Sequence, residues 1–289
     1  MSRLYAEVIG DPIAQSKSPA IHNFWLERLG LAAEYRARRV TADELPAYLD
    51  ERRADPDWRG CNVTMPLKQA IIPLVDRLET GAELIGAVNT VTRSNGALIG
   101  SNTDAAGFLE PLREELAKPH FFRMARVIGA GGAARAIVAA LAGHGLTIVL
   151  AARDIDKARA LLDAVDPGAE HHVAPLAHFA PPTDFAFDDR EGCLDLIVNA
   201  SPLGMAGQAP LAFDLSHAPP GSVVYDIVTH PLDTQLLREA RAAGFRTLDG
   251  LHMLIGQAAA GFEKFFGQPA PREHDAELRA LLAGTWQAA

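Results

Sequence analysis

Three short polar clusters in the first half of the chain carry the residue types that hold a small polar ligand or move its protons. CNVTMPLK leaves a strand-like run with Asn62 and Thr64, and Pro66 turns the chain to deliver Lys68. GDPIAQSKSPAIHN sets Ser16 and Ser18 on one loop, and GAVNT with GSNTD brings Asn89, Asn102 and Asp104 to strand ends. Taken singly, each has an ordinary explanation. Ser18 caps a helix, a lone lysine is solvated, and Asn and Asp stand at turns. Together the residues singled out supply hydroxyls, amides, one ammonium and one carboxylate. That set suits a small polyhydroxylated ligand, because each buried ligand hydroxyl needs a partner.

A second chemistry-bearing stretch is RVIGAGGAARAIVAAL, from Arg126 to Leu141. An apolar run ends in Val127 and Ile128, glycines crowd the turn, and an alanine-rich helical pattern follows. Such a strand–turn–helix leaves unpaired N–H groups at the helix start, where the dipole favours an anion. Gly129 permits the tight turn, Gly131 lets a pyrophosphate approach the backbone, and Ala134 stands in the third small position. Ala130, Gly132 and Ala133 complete that turn and supply further N–H groups. Glycine-rich turns also cap ordinary helices, but the strand before and the helix after favour a nucleotide.

The elements that must position these residues fall into two patterns. In the first hundred residues strand-like and helix-like segments alternate: Leu4–Ile9, a helix Pro19–Leu29 with Ser18 as N-cap, and a strand Glu34–Val40. Thr41 or Asp43 then caps a helix through Leu45, Tyr48 and Leu49. A short strand at Cys61–Thr64 precedes a hairpin over Gly86–Gly100 that turns at Asn95-Gly96, and Asp104–Ala117 reads as one helix. From Met124 the pattern is doubly wound. The strands Ala125–Gly129, Leu146–Ala151, Asp195–Ala200 and Val223–Asp226 are apolar nearly throughout, as strands buried on both faces should be. Asp154 caps the second helix of this half. Residues 164–193 read as a weak strand with irregular connections, and helices follow at Thr234–Ala243 and Leu251–Phe266.

The bulk properties narrow the function classes. A chain of 289 residues with 48% apolar content can bury one large core or two. Mean hydropathy of +0.04 and the lack of a long apolar run lead us to expect a soluble protein with no membrane partner. Arg3 and Glu7 interrupt the N-terminal apolar segment, so no signal peptide is expected. A net charge of −9 offers no basic patch for nucleic acid. Cys61 and Cys193 lie far apart without CxxC spacing, which suits a reducing cytoplasm, and His171-His172 lacks the companions of a metal site. We expect no metal.

The motifs SKSP with HN, NVTMPLK, GAVNT, SNTDAAG, GAGGAARA, NASPLGM and MLIGQAAAGF resemble, in order and spacing, those of the shikimate dehydrogenase family over almost the whole chain. The resemblance implies an α/β fold: an N-terminal α/β substrate domain, a Rossmann NAD(P)-binding domain, and a C-terminal helix returning to the first domain. Residues 1–106 with 250–289 would form the first and 107–249 the second. It also implies reversible reduction of 3-dehydroshikimate to shikimate with a nicotinamide cofactor, in a monomer or homodimer. By motif, Ser16 and Ser18 match the serines that hold the substrate carboxylate, and Asn62, Thr64, Asn89 and Gln257 match residues bonding its ring and carboxylate. Lys68 and Asp104 match the catalytic pair. Met205 and Gly250 match positions beside the cofactor.

The chemistry agrees with that assignment. Moving a hydride off a secondary alcohol requires loss of the hydroxyl proton. A lysine of ordinary pKa, about 10.4, accepts it at neutral pH only where the site lowers that value. Asp104 would orient Lys68, although a facing carboxylate favours the charged form, and the proton holder at each step is open. In TIVLAARDIDKA, Ala151 and Ala152 stand where NAD-specific domains carry an acid, with Arg153 and Lys157 beyond. These cations favour NADP over NAD. Asp154 either accepts from a free 2′-hydroxyl, as NAD would present, or caps the helix. Two departures are Gln15, where the family has histidine, and Thr229, where it commonly has tyrosine. The alternatives are oxidation of quinate or a related hydroxylated cyclohexane carboxylate, and a catalytically silent nucleotide-sensing protein.

Overall fold

The structure, a computed structural model, describes residues 3–187 and 192–287. The first elements in chain order are β1 (Leu4–Gly10), α1 (Ser18–Arg28), β2 (Ala33–Arg39), α2 (Leu45–Ala54), β3 (Trp58–Val63) and β4 (Arg77–Leu78). Next come α3 (Thr80–Ile85), β5 (Thr90–Ser94), β6 (Ala97–Ser101), α4 (Asp104–Leu109) and α5 (Arg113–Ala117). The second half runs β7 (Phe122–Ile128), α6 (Gly132–Ala142), β8 (Thr147–Ala152), α7 (Ile155–Val165), β9 (His172–Pro175) and β10 (Cys193–Asn199). It continues through β11 (Val223–Asp226), α8 (Gln235–Ala242) and β12 (Arg246–Leu248) to α9 (Gly250–Phe266) and α10 (Asp275–Gln287). The chain divides into two compact units, Met1–Gly107 with Ile255–Ala289, and Phe108–Leu254.

The first unit is built on a mixed sheet in the order β2-β1-β3-β5-β6-β4. β1 lies parallel to both β2 and β3, whereas β5 runs antiparallel to β3 and β6. The start of β5 therefore lies at the same edge as the end of β3, and Asn62 stands opposite Thr90 in the register. The end of β6 joins them, with Thr90 opposite Ser101. One face of the sheet carries a core of Ile9, Tyr48, Trp58, Leu67, Val88 and Leu98, all buried.

The second unit is an all-parallel sheet in the order β12-β11-β10-β7-β8-β9. Counted from β7, that is the doubly wound order 3-2-1-4-5-6, with its switch point between β7 and β10. The apolar strands read from sequence are here, buried among Ile128, Ala151, Ile197 and Val224.

Local departures from the sequence reading have physical causes. Ser18 is not a cap: α1 begins on it, and Lys17 precedes the helix without a side-chain capping bond. Neither Thr41 nor Asp43 caps α2. Instead Glu44 reaches back to accept from the Thr41 N–H and hydroxyl, at 2.8 and 3.0 Å. The helix expected over Asp104–Ala117 breaks into α4, a single turn and α5, where Pro111 cannot donate to the helical ladder. The Asn95-Gly96 turn forms as read, with φ of 51° and 81°, but its first strand starts at Thr90 because Gly86 ends α3 in the left-handed region. β4, α3, β12 and α10 were not read from sequence. No described helix is long and apolar enough to cross a membrane.

Candidate active site

Lys68 leaves β3 through a turn closed by the Leu67 N–H to the Thr64 carbonyl, 2.9 Å, and by the Val88 N–H to the Lys68 carbonyl, 2.8 Å. Asp104 opens α4, and the Asn102 side chain fixes its backbone by accepting from the Asp104 N–H at 2.9 Å. Asn102 is anchored in turn by donating to the Ala87 carbonyl, 2.9 Å. The Lys68 ammonium donates to Asp104 Oδ2, and the two side chains are 15% and 6% exposed. A pair so far removed from water holds one geometry, unlike a solvated surface ion pair.

Asn89 completes the setting. Its Oδ1 accepts from the Thr103 N–H, 2.8 Å, which can only donate, so its Nδ2 must face Asp104 Oδ1, 2.8 Å away. Nδ2 also donates to the Thr103 hydroxyl at 2.9 Å, and Oδ1 accepts from the Thr90 hydroxyl at 2.9 Å. Asn62 is likewise engaged within the chain: its Nδ2 donates to Thr90 Oγ1, 3.0 Å, and to the Asn89 carbonyl, 3.3 Å, while its Oδ1 accepts from the Tyr35 hydroxyl. Ser16 lies half-buried on the loop after β1, its Oγ accepting from the Ser18 N–H at 3.3 Å, and Ser18 is buried. Thr64 is half-buried beyond β3, and Gln15 is exposed. Gln257 stands half-buried on α9. A Cβ on Gly107 would come within 2.3 Å of the Gln257 nitrogen, so only glycine lets α4 and α9 approach this closely.

In the second unit Gly129 follows β7 with φ of 110°, and a Cβ there would meet the Ala200 carbonyl oxygen at 2.9 Å. This close approach joins the ends of β7 and β10 at the switch point, where ligands bind in open parallel sheets. Ala130 and Gly131 lead into α6, and Gly132 and Ala133 form its first turn. No described side chain caps this helix, and a Cβ on Gly131 would meet nothing described within 4 Å. Open N–H groups beside open space at a helix start fit a pyrophosphate. Past β8, Asp154 is the helix cap, its Oδ1 accepting from the Lys157 N–H at 2.9 Å. Arg153 and Lys157 are exposed, and no described residue pairs with either side-chain cation. This fits a 2′-phosphate. Met205 is half-buried in the loop after β10, which the Ala206 N–H ties to the His230 carbonyl, 2.8 Å, beside the half-buried Thr229. Gly250 opens α9, where a Cβ would overlap the Val228 carbonyl at 2.4 Å.

Several site-building residues carried no sequence signal. Tyr35 read only as part of a strand, and Thr90 and Thr103 as neighbours of the asparagine and aspartate. Asn199 read only as the start of NASPLGM and Asp226 only as the end of a strand: Asn199 donates to Asp226 Oδ1 and to the Leu203 carbonyl, both 2.9 Å, and Asp226 accepts from the Thr234 hydroxyl at 2.8 Å. Burial raises the Asp226 carboxyl above its ordinary pKa. The buried knot fixes the loop that carries Met205.

Comparison with known proteins agrees with these features. Residues 8–91 match the shikimate dehydrogenase substrate-binding domain, and residues 250–277 match the shikimate 5′-dehydrogenase C-terminal domain. The chain is 52% identical over 281 residues to the shikimate dehydrogenase (NADP(+)) of Sphingopyxis alaskensis, covering 96% of each. It is 45% identical to the protein of that name from Paramagnetospirillum magneticum, covering 96% of this chain and 97% of the relative. Among solved structures, Thermus thermophilus shikimate 5-dehydrogenase in complex with NADP(H) and shikimate superposes with a TM-score of 0.79 at 36% identity, covering 96% of this chain and 99% of that one. With its motifs, its switch point and these relatives in agreement, the chain belongs to the shikimate dehydrogenase family.

Proposed function

We propose that this protein is an NADP-dependent shikimate dehydrogenase, which reversibly reduces 3-dehydroshikimate to shikimate in the route to aromatic amino acids. The observation that carries the reading is the buried Lys68–Asp104 pair set among amides whose orientations are fixed. Quinate is the less favoured substrate: relatives at 52% and 45% identity carry the shikimate name, whereas a Corynebacterium glutamicum quinate dehydrogenase in complex with NAD is 30% identical.

NADP supplies the hydride acceptor when bound, and the N–H groups of Gly131, Gly132 and Ala133 would hold its pyrophosphate. Arg153 and Lys157 would meet the 2′-phosphate, with Met205 and Gly250 near the nicotinamide end. On the substrate side Lys68, as the neutral amine, would take the hydroxyl proton at Nζ during oxidation and, as the ammonium, return it during reduction. Asp104 keeps Nζ directed through Oδ2, and Asn89 prevents the carboxylate from turning. Ser16 and Ser18 would hold the substrate carboxylate, and Thr64 and Gln257 its ring hydroxyls. Residues 1–106 with 250–289 would serve the substrate and 107–249 the cofactor. The protein works as a monomer or homodimer in the cytoplasm, where both cysteines stay reduced.

Initial rates with shikimate and quinate, each with NADP and NAD, test the reading. The expected result is NADPH formation from shikimate at the highest kcat/KM of the four pairs. Preference for quinate or NAD would overturn the assignment. NADP binding without turnover on either substrate would leave the silent nucleotide sensor.

A further inference from the structure

The paired residues His22 and Asn23 belong to the SKSP-with-HN motif of the first unit, yet neither has a place in the chemistry above. The structure shows what they hold. Asn23 brackets the backbone of Tyr35, donating to its carbonyl at 2.8 Å and accepting from its N–H at 2.9 Å. The His22 ring stacks on the Tyr35 ring with centroids 3.9 Å apart and planes 4° from parallel. Tyr35 is thus fixed along its whole length, and its hydroxyl lies 2.5 Å from Asn62 Oδ1.

The direction of each hydrogen bond beyond this point follows from elimination. The Asn89 backbone carbonyl can only accept, so the Asn62 atom facing it is Nδ2, and the atom facing Tyr35 is Oδ1. Tyr35 must then donate, and burial raises its phenol well above the ordinary pKa, which keeps that proton in place. Asn62 Nδ2 donates to Thr90 Oγ1, Thr90 donates to Asn89 Oδ1, and Asn89 Nδ2 donates to Asp104 Oδ1. All four links point toward the carboxylate that holds Lys68. Hydrogen bonds in series polarise one another, and more strongly away from water.

We propose that Tyr35 is a positioning residue for the reaction: a directional chain through Asn62, Thr90 and Asn89 sets Asp104 against Lys68, and His22 and Asn23 exist to hold its first member. The inference rests on the catalytic reading of Lys68 and Asp104.

Tyr35→Phe removes the hydroxyl and keeps the stacked ring. It should lower kcat for shikimate by about two- to tenfold, the size expected for one hydrogen bond, with KM for NADP unchanged. It should also move the Lys68 titration midpoint, read by carbon-13 NMR of lysine labelled at Cε and assigned with Lys68→Arg, by about half a pH unit or more. Thr90→Val removes the two middle links, nearer the carboxylate, and should reproduce both changes. The double variant should lose no more than the larger single effect, because either break interrupts the same chain. The NMR midpoint needs neither substrate nor turnover. A parent inactive on shikimate would therefore overturn the functional reading alone, and the midpoint would still decide the relay. Unchanged midpoints, a fall in Tm as the only effect, or kcat losses that multiply in the double variant would overturn it. Should Tyr35→Phe fail to fold, the Thr90→Val midpoint decides.

Discussion

The two functional regions of this chain satisfy their polar groups in opposite ways. Around Asp104 nearly every donor and acceptor has a partner within the protein: Asn89 uses both ends of its amide, Asn62 both of its, and Asp104 both oxygens. Around Gly131 the helix start carries no cap, and the Arg153 and Lys157 side chains meet no described partner. The first region is built in advance, which suits a step where a proton must move along one line without reorganisation. The second awaits an anion, because a helix start already offers N–H groups that a phosphate can accept from. On the proposed reading the catalytic geometry belongs to the chain itself, whereas NADP would complete the nucleotide region.

The largest expected effect lies in the first region. Lys68→Ala should cut kcat by about 10²–10⁴-fold, the usual contribution of a general acid–base group, while NADP affinity stays near the parent's. Calorimetry beside a steady-state assay checks both, and turnover near the parent's would remove Lys68 from the mechanism. Next comes Arg153→Ala in the second region. Losing a charge-assisted bond of about 1.5–3 kcal/mol should weaken NADP roughly tenfold to hundredfold and leave NAD nearly unaffected. Equal weakening of both cofactors would mean that Arg153 holds the adenosine or the fold.

A smaller effect concerns the support of the first region. His22 is fully buried, neither ring nitrogen has a partner among the described residues, and burial lowers its pKa to about 3. The unfolded chain takes up that proton near pH 6.5 and the folded protein only near 3, so this contribution is full above 6.5 and fades as pH falls through that window. His22→Phe keeps a ring for Tyr35 to stack on. It should flatten the dependence of unfolding free energy on pH between these limits by up to one proton, about 1.4 kcal/mol per pH unit. Urea titrations at three pH values measure it, and an unchanged slope would contradict the burial account.

The nucleotide region was largely legible in the sequence, because its parts are consecutive: β7, the glycine turn and α6 occupy one unbroken stretch, and their geometry follows from glycine's freedom and the helix's open N–H groups. Apolar strands of both-faces-buried type also announced the parallel sheet. The first region was legible only as motifs. Lys68, Asn89 and Asp104 were named by pattern, but the partners that orient them come from β2 and β5 and depend on a register no local signal encodes. Tyr35 meets Asn62 only because β1 lies between β2 and β3. Two capping readings in the first unit failed for a related reason, whereas Asp154 caps α7 as read: Ser18 and Thr41 have the right types, but the chain entering α1 and α2 satisfies those helix starts otherwise. Pro111 was a visible breaker that the helical periodicity around it obscured.

The contrast between the regions is most directly tested by amide hydrogen exchange of the protein with and without NADP. Without ligand the N–H groups of Asn89, Thr103 and Asp104, which donate to Ser101, Asn89 and Asn102, should already be protected. Those of Gly131, Gly132 and Ala133 should exchange freely, then slow by an order of magnitude or more when NADP binds, while the first set changes little. Free exchange at Thr103 and Asp104 until a ligand is added, or protection at the glycine turn without one, would contradict the account.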